Sequence, residues 1–255
     1  MKYANFRDGK VYIEDDRWVT IRGNHVLIKE KADYLNGAPN EQEVYIVNNS
    51  LHPNEFMVKG GKNKNVLVVR GNPMTHKEAD SGKVNPTNSN TNCTNSCVAY
   101  ELRLRGFDVV AGTEYNWQHS DLSKNGPKGA WMTETGKTPQ EKHFTGDRSA
   151  IVNAIDNNIK PGERHFLWFS WNGGGGHITT ITKDKWGRLL LYDPQKNKED
   201  IGTRGLEDLI NAADPTRKPC GVQGVGLMRV DNLIPRKSYM SGLLIANKRG
   251  AQNGS

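Results

Sequence analysis

Short runs of alternating apolar and polar residues fill the first part of the chain and predict β-strands. Turn-forming residues separate these runs, which lie at 11–13, 18–21, 26–28, 44–47 and 66–69. After residue 80 the composition changes to Ser, Asn, Thr, Pro and Gly, which is typical of a loop or a domain boundary. The pattern therefore predicts a β-rich N-terminal region over residues 1–80.

The spacing of apolar residues then changes to that of a helix. Over residues 93–105, one face of the predicted helix carries Cys93, Cys97, Tyr100 and Leu104. Asn92 is a favourable N-cap residue, and Gly106 is a favourable residue to follow the last turn. Similar signals predict a helix at 147–159 and a short helix at 206–212.

A β-hairpin is predicted in the second half of the chain. Its strands, 178–181 and 189–192, flank a turn at 184–187. Folding about this turn brings His177, which precedes the first strand, beside Asp193, which follows the second. Such a pair has the chemistry of a general base, because a carboxylate fixes the histidine tautomer and stabilises the imidazolium.

Further strands are predicted at 107–111 and 165–171, so helices and strands share the segment from 81 to 246. We expect this segment to form the catalytic domain and the polar residues 247–255 to form a flexible tail. The 255 residues suffice for one medium domain with an appended region. With 27 Gly, 11 Pro and 35% apolar residues, the composition favours a loop-rich α+β or α/β protein.

Several classes of protein do not fit the composition. No apolar run approaches the roughly 18 residues of a membrane span, and charged residues within the first twenty argue against a signal peptide. We therefore expect no membrane partner and action in the cytoplasm. The net charge of +7 is spread along the chain without a Lys/Arg block, which does not favour nucleic-acid binding.

The three cysteines are an odd number, which argues against a disulfide framework and for free thiols. No Cys and His spacing matches a zinc site, so we expect neither a metal nor another cofactor. If Asn92 caps the helix, Cys93 lies in its first turn, where unpaired amides and a nearby histidine favour the thiolate. The residues thus predict a Cys93, His177 and Asp193 site for thiol chemistry.

Other residues are candidates for the same site. Cys97 is the alternative nucleophile, because a helix beginning at Ser96 would place it in the first turn. Gln195 could orient the site or donate to an oxyanion. Gly176 allows close approach of the backbone, and Trp171 could line the cleft.

Taken together, these segments resemble the papain-fold toxin family, the glutamine deamidases of polymorphic toxins, some of which are attached to phage MuF-type head-morphogenesis proteins. The resemblance runs in collinear order through Asn92-Cys93, 97–109, 171–177, 192–195 and 229–233. It implies a papain-like α+β cysteine hydrolase fold, in which a helix carrying the Cys packs on an antiparallel sheet carrying the His and Asp. The β-rich region would be an N-terminal extension of that fold.

The resemblance maps the family's catalytic residues to Cys93, His177 and Asp193, with Gln195 in the associated Asp-Pro-Gln motif. Family members often have two residues between their cysteines, whereas three intervene here; alignment on the helix keeps Cys93 in register and leaves Cys97 as the alternative. Papain-type enzymes also carry a glutamine six residues before the nucleophile, and this chain has threonine at both equivalent positions. A different oxyanion donor is needed, and the candidates are Asn90, Asn92 and Asn95.

The implied activity is deamidation of a glutamine side chain in a target protein, through a thioester. The implied partners are a protein substrate and an immunity protein, and the implied route is delivery as a phage or secreted effector. A cysteine protease would use the same triad, and a transglutaminase would differ only in the acceptor. A phage structural or adaptor protein without activity, and a nucleic-acid-binding protein, remain as alternatives from other classes.

Overall fold

The computed structural model describes residues 70–80, 82–112, 126–172, 175–213, 224–236 and 240, and the strands 5–7, 10–12, 18–21, 24–27, 55–59, 65–69 and 244–246. The N-terminal strands are β1 (Asn5–Arg7), β2 (Lys10–Tyr12), β3 (Trp18–Ile21), β4 (Asn24–Leu27), β5 (Glu55–Lys59) and β6 (Asn65–Val69). These six strands form three antiparallel pairs: β1 with β2, β3 with β4, and β5 with β6. The strand predicted at 44–47 and the tail at 247–255 lie outside the described residues.

The remaining elements include four α-helices and ten strands among the described residues. The helices are α1 (His76–Ala79), α2 (Cys93–Leu104), α3 (Arg148–Asn158) and α4 (Thr203–Ala212). The strands are β7 (Val109–Ala111), β8 (Trp131–Met132), β9 (Lys142–Phe144), β10 (Arg164–Ser170), β11 (Gly176–Lys183), β12 (Leu189–Asp193), β13 (Lys198–Ile201), β14 (Val225–Arg229), β15 (Ile234–Pro235) and β16 (Leu244–Ala246).

Helix α2 begins and ends where its sequence predicts. Cys93 is its first residue, and Gly106 follows the C-cap with a φ of +99°, a left-handed conformation that glycine adopts without strain. A side chain at Gly106 would also collide with the backbone, because its Cβ would lie 2.4 Å from the carbonyl oxygen of Gly71. The stop after α2 is therefore fixed both by backbone conformation and by this close approach.

Among the described residues, the central sheet has six strands in the order β13-β12-β11-β10-β14-β9, and each neighbouring pair is antiparallel. The predicted hairpin forms its middle, because β11 and β12 pair from Thr180 opposite Tyr192 to Lys183 opposite Leu189. The turn between them contains Gly187 at a φ of +82°. These pairings place the start of β11 and the end of β12 at the same end of the sheet.

Alternate residues of β10 enter two different hydrophobic clusters. Phe166 and Trp168 belong to the cluster that contains the buried residues of α2, whereas Leu167 and Phe169 belong to the cluster of α3 and α4. The sheet therefore separates α2 from the other two helices. Trp168 packs so closely across Gly226 of β14 that a Cβ there would lie 2.0 Å from the indole.

The segment before α2 shares its core. Val58 of β5, Val68 of β6 and Ala79 of α1 lie in the same buried cluster as α2. A second sheet has the order β6-β5-β16-β7, so strands from both sides of residue 80 pair with one another. Strands β5 and β6 and helix α1 thus share packing with the elements that follow residue 80.

A buried carboxylate ties α2 to the sheet. Glu101 accepts hydrogen bonds from Arg105 at 2.7 Å and from the Nε and Nη2 atoms of Arg164 at 2.8 and 2.9 Å. Arg105 also donates to the carbonyls of Leu233 and Val230. This cluster fixes the C-terminal part of α2 against β10.

No helix in the described part of the chain is both long and apolar enough to span a bilayer.

Candidate active site

The start of α2 presents a half-buried thiol at one end of the sheet. Cys93 is the first helical residue, and Asn92 occupies the N-cap position as predicted. The Asn92 side chain, however, makes no hydrogen bond to the amides of the first turn. The first amides of a helix have no acceptor within the helix, so those of α2 are not occupied by the cap side chain.

His177 and Asp193 meet across the neighbouring strands β11 and β12, as the hairpin predicts. The Nε2 atom of His177 lies 2.7 Å from the Oδ2 atom of Asp193. The other oxygen, Oδ1, accepts hydrogen bonds from the backbone amides of Gln195 at 3.0 Å and Lys196 at 3.3 Å. The turn after β12 thus fixes the carboxylate in the orientation that reaches the ring.

The surroundings of His177 favour its charged form. Burial alone would lower the pKa of His177, but hydrogen bonds and charge interactions with Asp193 and Cys93 outweigh it and raise the pKa to about 9. The Cys93 thiol is thus close enough to the ring to affect its charge. The structure therefore places the three residues predicted from the sequence at the same end of the sheet.

Two aromatic side chains pack against the imidazole ring of His177. Trp171 stacks on His177 with ring centroids 5.9 Å apart, and Phe169 meets the same ring edge-on at 5.8 Å. Trp171 is half-buried and forms a β-bridge with Ala213 at the end of α4. Gly176 is exposed and pairs with Ser170 at the start of the hairpin, whereas Gly173 and Gly174 lie outside the described residues.

Cys97 lies in a different environment from Cys93. It is completely buried in the core cluster of α2, and its thiol donates to the carbonyl oxygen of Ile178 at 3.4 Å. Burial raises the pKa of Cys97 well above its usual range, and the nearby charges of Asp193 and Cys93 raise it further. The residue is thus kept as a neutral thiol. The third cysteine, Cys220, lies outside the described residues.

The three asparagines expected to bind an oxyanion have other partners. Both hydrogens of the Asn92 amide are used, by Asn85 Oδ1 at 3.0 Å and the Gly112 carbonyl at 3.0 Å, so this side chain has no hydrogen left for an oxyanion. Asn95 is also buried and donates to Gly112 at 3.3 Å. Asn90 is exposed, and its oxygen accepts from Lys196.

The predicted supporting residue Gln195 is part of a buried polar network. Its Nε2 atom donates to Asn92 Oδ1 at 3.2 Å, and its carbonyl accepts from Asn85 Nδ2 at 3.1 Å. No sequence signal marks Asn85 as a site residue, because it lies in a polar loop and its contact with Gln195 spans 110 residues of the chain. Its neighbour Pro86 and the surrounding Ser and Asn residues read only as loop signals.

No group of three or more His, Cys, Asp and Glu side chains is arranged to hold a metal ion in the part of the chain that the structure describes. The site instead contains the thiol of Cys93 at the start of α2, the imidazole of His177 in β11 and the carboxylate of Asp193 at the end of β12. This combination suits nucleophilic attack on a carbonyl carbon with proton transfer by the histidine.

Comparisons with known proteins found a matching family and a similar solved structure. The family model described as papain fold toxin 1, glutamine deamidase, matches residues 91–198. Among solved structures, the crystal structure of the Pseudomonas avirulence protein AvrPphB is similar over 39% of this chain and 53% of its own, with 16% identity and a TM-score of 0.27. The matched region thus spans about half of that protein. The comparison with curated proteins found no match.

The family match covers α2, the hairpin and the turn after β12, which are the elements that hold the candidate site. It confirms the resemblance and the papain-like fold predicted from the sequence. Residues 91–198 of this chain therefore match the papain-fold toxin family of glutamine deamidases, on a papain-like α+β fold.

Proposed function

We propose that this chain is a cysteine-dependent amidohydrolase that deamidates a glutamine side chain of a target protein. One arrangement carries this proposal: the ring of His177 lies 2.7 Å from the Asp193 carboxylate, and the Cys93 thiol at the start of α2 is close enough to raise the pKa of the same ring. Because Nε2 is bonded to Asp193, the remaining ring nitrogen, Nδ1, is the one available to the thiol.

In the first half of the reaction, the Cys93 thiolate attacks the carbon of the side-chain amide, and the carbonyl oxygen becomes an oxyanion. His177, with a pKa of about 9, is an imidazolium near neutral pH and gives its proton to the amide nitrogen. The carbon–nitrogen bond then breaks, ammonia leaves, and the acyl group remains on sulfur as a thioester.

In the second half, water attacks the thioester carbon while His177, now neutral, accepts a proton from it. The carbon–sulfur bond breaks, a glutamate side chain leaves, and the thiolate–imidazolium pair is restored. Asp193 touches neither the substrate nor the sulfur in this scheme. It keeps the ring in the orientation and tautomer that both proton transfers need.

Cys93 suits the role of nucleophile better than Cys97. Cys93 is half-buried at the helix start and interacts with His177, whereas the Cys97 thiol is inside the core and hydrogen-bonded to a carbonyl. A substrate carbonyl could not reach Cys97 without displacing α2 from the sheet. We therefore assign Cys97 a structural role.

The oxyanion would be stabilised by backbone amides. The side chains of Asn92 and Asn95 are engaged with the Gly112 carbonyl, and the Asn92 side chain does not cover the first turn. In the part of the chain that the structure describes, the first-turn amides of α2, together with the partial positive charge at the helix start, are suitable donors beside Cys93.

The choice of a protein-bound glutamine follows from the family that residues 91–198 match. A toxin or effector that acts in this way needs a protein target, and an immunity protein would protect its producer. Trp171, stacked on His177, would form one wall of the substrate cleft. A peptide bond could be attacked by the same three groups, so the reaction catalysed depends on what the cleft admits.

The test is intact-mass analysis of host proteins incubated with the wild-type protein and with the Cys93→Ala and Cys97→Ala variants. A gain of about 1 Da in a host protein, corresponding to the exchange of an amide for an acid, is the expected result. It should require Cys93 and persist in Cys97→Ala.

Fragments of a host protein would instead identify a cysteine protease, and the addition of an amine would identify a transglutaminase. Biological activity that survives both cysteine substitutions would favour a structural or adaptor protein. Salt-sensitive retention on DNA or RNA, again with no need for either thiol, would favour nucleic-acid binding.

A further inference from the structure

The catalytic groups proposed above come from two separate parts of the fold. His177 and Asp193 are held by adjacent strands of one sheet, whereas Cys93 is held by the start of α2. Nothing in the pairing of β11 with β12 fixes where the helix starts relative to the histidine. The distance between thiol and imidazole therefore depends on contacts that join the end of the sheet to the N-terminus of α2.

A closed ring of buried amides makes that connection. Gln195 donates to Asn92, Asn92 donates to Asn85, and Asn85 donates back to the carbonyl of Gln195, at 3.2, 3.0 and 3.1 Å. Asn85, Asn92 and Gln195 are only 6, 2 and 7% exposed. In such a dry environment hydrogen bonds are stronger and enforce one geometry, because an unpaired amide is costly.

Gln195 is bonded to both halves of the site. Its backbone amide donates to Asp193 Oδ1, and its side-chain amide donates to Asn92 Oδ1, one residue before Cys93. The carboxylate that orients His177 and the helix start that holds the thiol are thus connected through a single residue. A shift of the turn after β12 would be transmitted to both.

The same contact changes the role of Asn92. An asparagine at an N-cap normally accepts a hydrogen bond from a first-turn amide. Here its oxygen accepts from Gln195 and from the Ser96 hydroxyl instead, at 3.2 and 3.4 Å. The amides beside Cys93 are left unoccupied by this side chain, at the point where an oxyanion would need them.

We propose that Gln195, acting through Asn92, is a positioning residue that holds Cys93 against His177 and keeps the first-turn amides of α2 available for the oxyanion. This inference rests on the function proposed above and assigns no contact between Gln195 and the substrate. It explains why the Gln of the Asp-Pro-Gln segment is buried, although a turn residue at this place could as well be exposed.

The test uses iodoacetamide, a small electrophile that reacts with thiolates, so it needs no knowledge of the natural substrate. The rate of alkylation at Cys93 is measured at pH 6 and pH 10, with fragment-ion mass spectrometry to distinguish it from Cys97. At pH 10 a thiol is ionised with or without a neighbour, whereas at pH 6 ionisation needs the imidazolium. The rate at pH 6 divided by the rate at pH 10 therefore reports the Cys93–His177 pair. Changes in accessibility affect both rates alike and cancel in this ratio.

The variant Gln195→Met keeps the length of the side chain and removes the donor. We expect its rate ratio to fall about five- to tenfold below that of the wild type, the effect of losing one buried hydrogen bond. Gln140→Met, the same change at an exposed residue, should leave the ratio unchanged. Gln195→Glu places an acceptor opposite the Asn92 oxygen and should lower the ratio as well, which provides a second variant if Gln195→Met does not fold.

The positioning role would be overturned if the folded Gln195 variants had the wild-type ratio while that ratio exceeded the one of the urea-unfolded protein. This outcome would leave the proposed function intact. A wild-type ratio equal to that of the unfolded protein would mean that Cys93 and His177 do not interact. In that case the proposed function fails, and the role of Gln195 fails with it.

Discussion

Replacing Asp193 by asparagine should remove most of the charge from His177 at neutral pH while leaving the turn in place. The asparagine keeps an oxygen for the backbone amides of Gln195 and Lys196, so the local backbone retains its hydrogen bonds. It loses the negative charge that lies 2.7 Å from the ring. The substitution therefore separates the electrostatic role of Asp193 from its structural one.

The magnitude follows from the pKa of His177. That pKa is about 9 against an ordinary value of 6.5, and the gap corresponds to roughly 3 kcal/mol in favour of the charged ring. In the variant, burial still lowers the pKa and Cys93 still raises it, so without Asp193 the pKa should fall towards 6.5. At pH 7.5 a ring with a pKa of 6.5 is about a tenth charged, against more than about nine-tenths in the wild type. We expect up to about a tenfold loss of Cys93 reactivity at that pH.

Stability should depend on pH in the corresponding direction. A histidine whose folded pKa is raised contributes stability that is complete below its unfolded pKa and is lost as pH rises through its folded pKa. For His177 this window runs from 6.5 to about 9. The free energy of unfolding of the wild type should thus exceed that of Asp193→Asn most clearly at pH 6, by up to about 3 kcal/mol, and the difference should shrink towards pH 9.

The assay is a nitrogen-15 NMR titration of the histidine rings in the wild type, in Asp193→Asn and in Asp208→Asn. Asp208 is an exposed residue of α4, so the last variant makes the same substitution away from the site. His177→Gln assigns the signal. A wild-type ring that titrates near 6.5, or a ring whose pKa is the same in Asp193→Asn, would refute the reasoning.

Three further predictions concern the scaffold of the site. Glu101→Ala should cost about 3 kcal/mol of unfolding free energy in urea titrations, because it leaves two arginines beside a buried position without their carboxylate; equal stability would contradict this. Gly226→Ala should lower the melting temperature by several degrees, since the new methyl group would overlap the indole of Trp168. Burial lowers the pKa of His165 to about 4, so wild-type stability should fall as pH drops from 6.5 to 4, and His165→Gln should weaken that dependence in unfolding measured across the range.

Local sequence patterns predict the parts of the site that lie close together in the chain. The alternation in the hairpin and its Gly187 turn predict that His177 and Asp193 are neighbours. In the structure, His177 Nε2 lies 2.7 Å from Asp193 Oδ2. The helical period likewise places Cys97 on the buried face of α2, one turn beyond Cys93. Both features depend on residues within about twenty positions of one another, where strand and helix periodicity is informative.

Contacts between distant segments have no such pattern. The cap preference of Asn92 predicts its position but not its hydrogen bonds, because Gln195 lies 103 residues further along the chain. Gln195 reaches Asn85 across 110 residues. The pairing of β5 with β16 cannot be predicted from local periodicity either, because these strands lie near opposite ends of the chain.

Cross-linking with 1,3-dibromoacetone tests most directly whether Cys93 and His177 form one reactive pair. The thiolate displaces the first bromide, and a ring nitrogen within reach displaces the second, which joins the two side chains covalently. We expect a single cross-linked peptide pair containing Cys93 and His177, absent from His177→Gln and preserved in Cys97→Ala. Cross-links that start at Cys97, or alkylated Cys93 that never joins His177, would contradict the account.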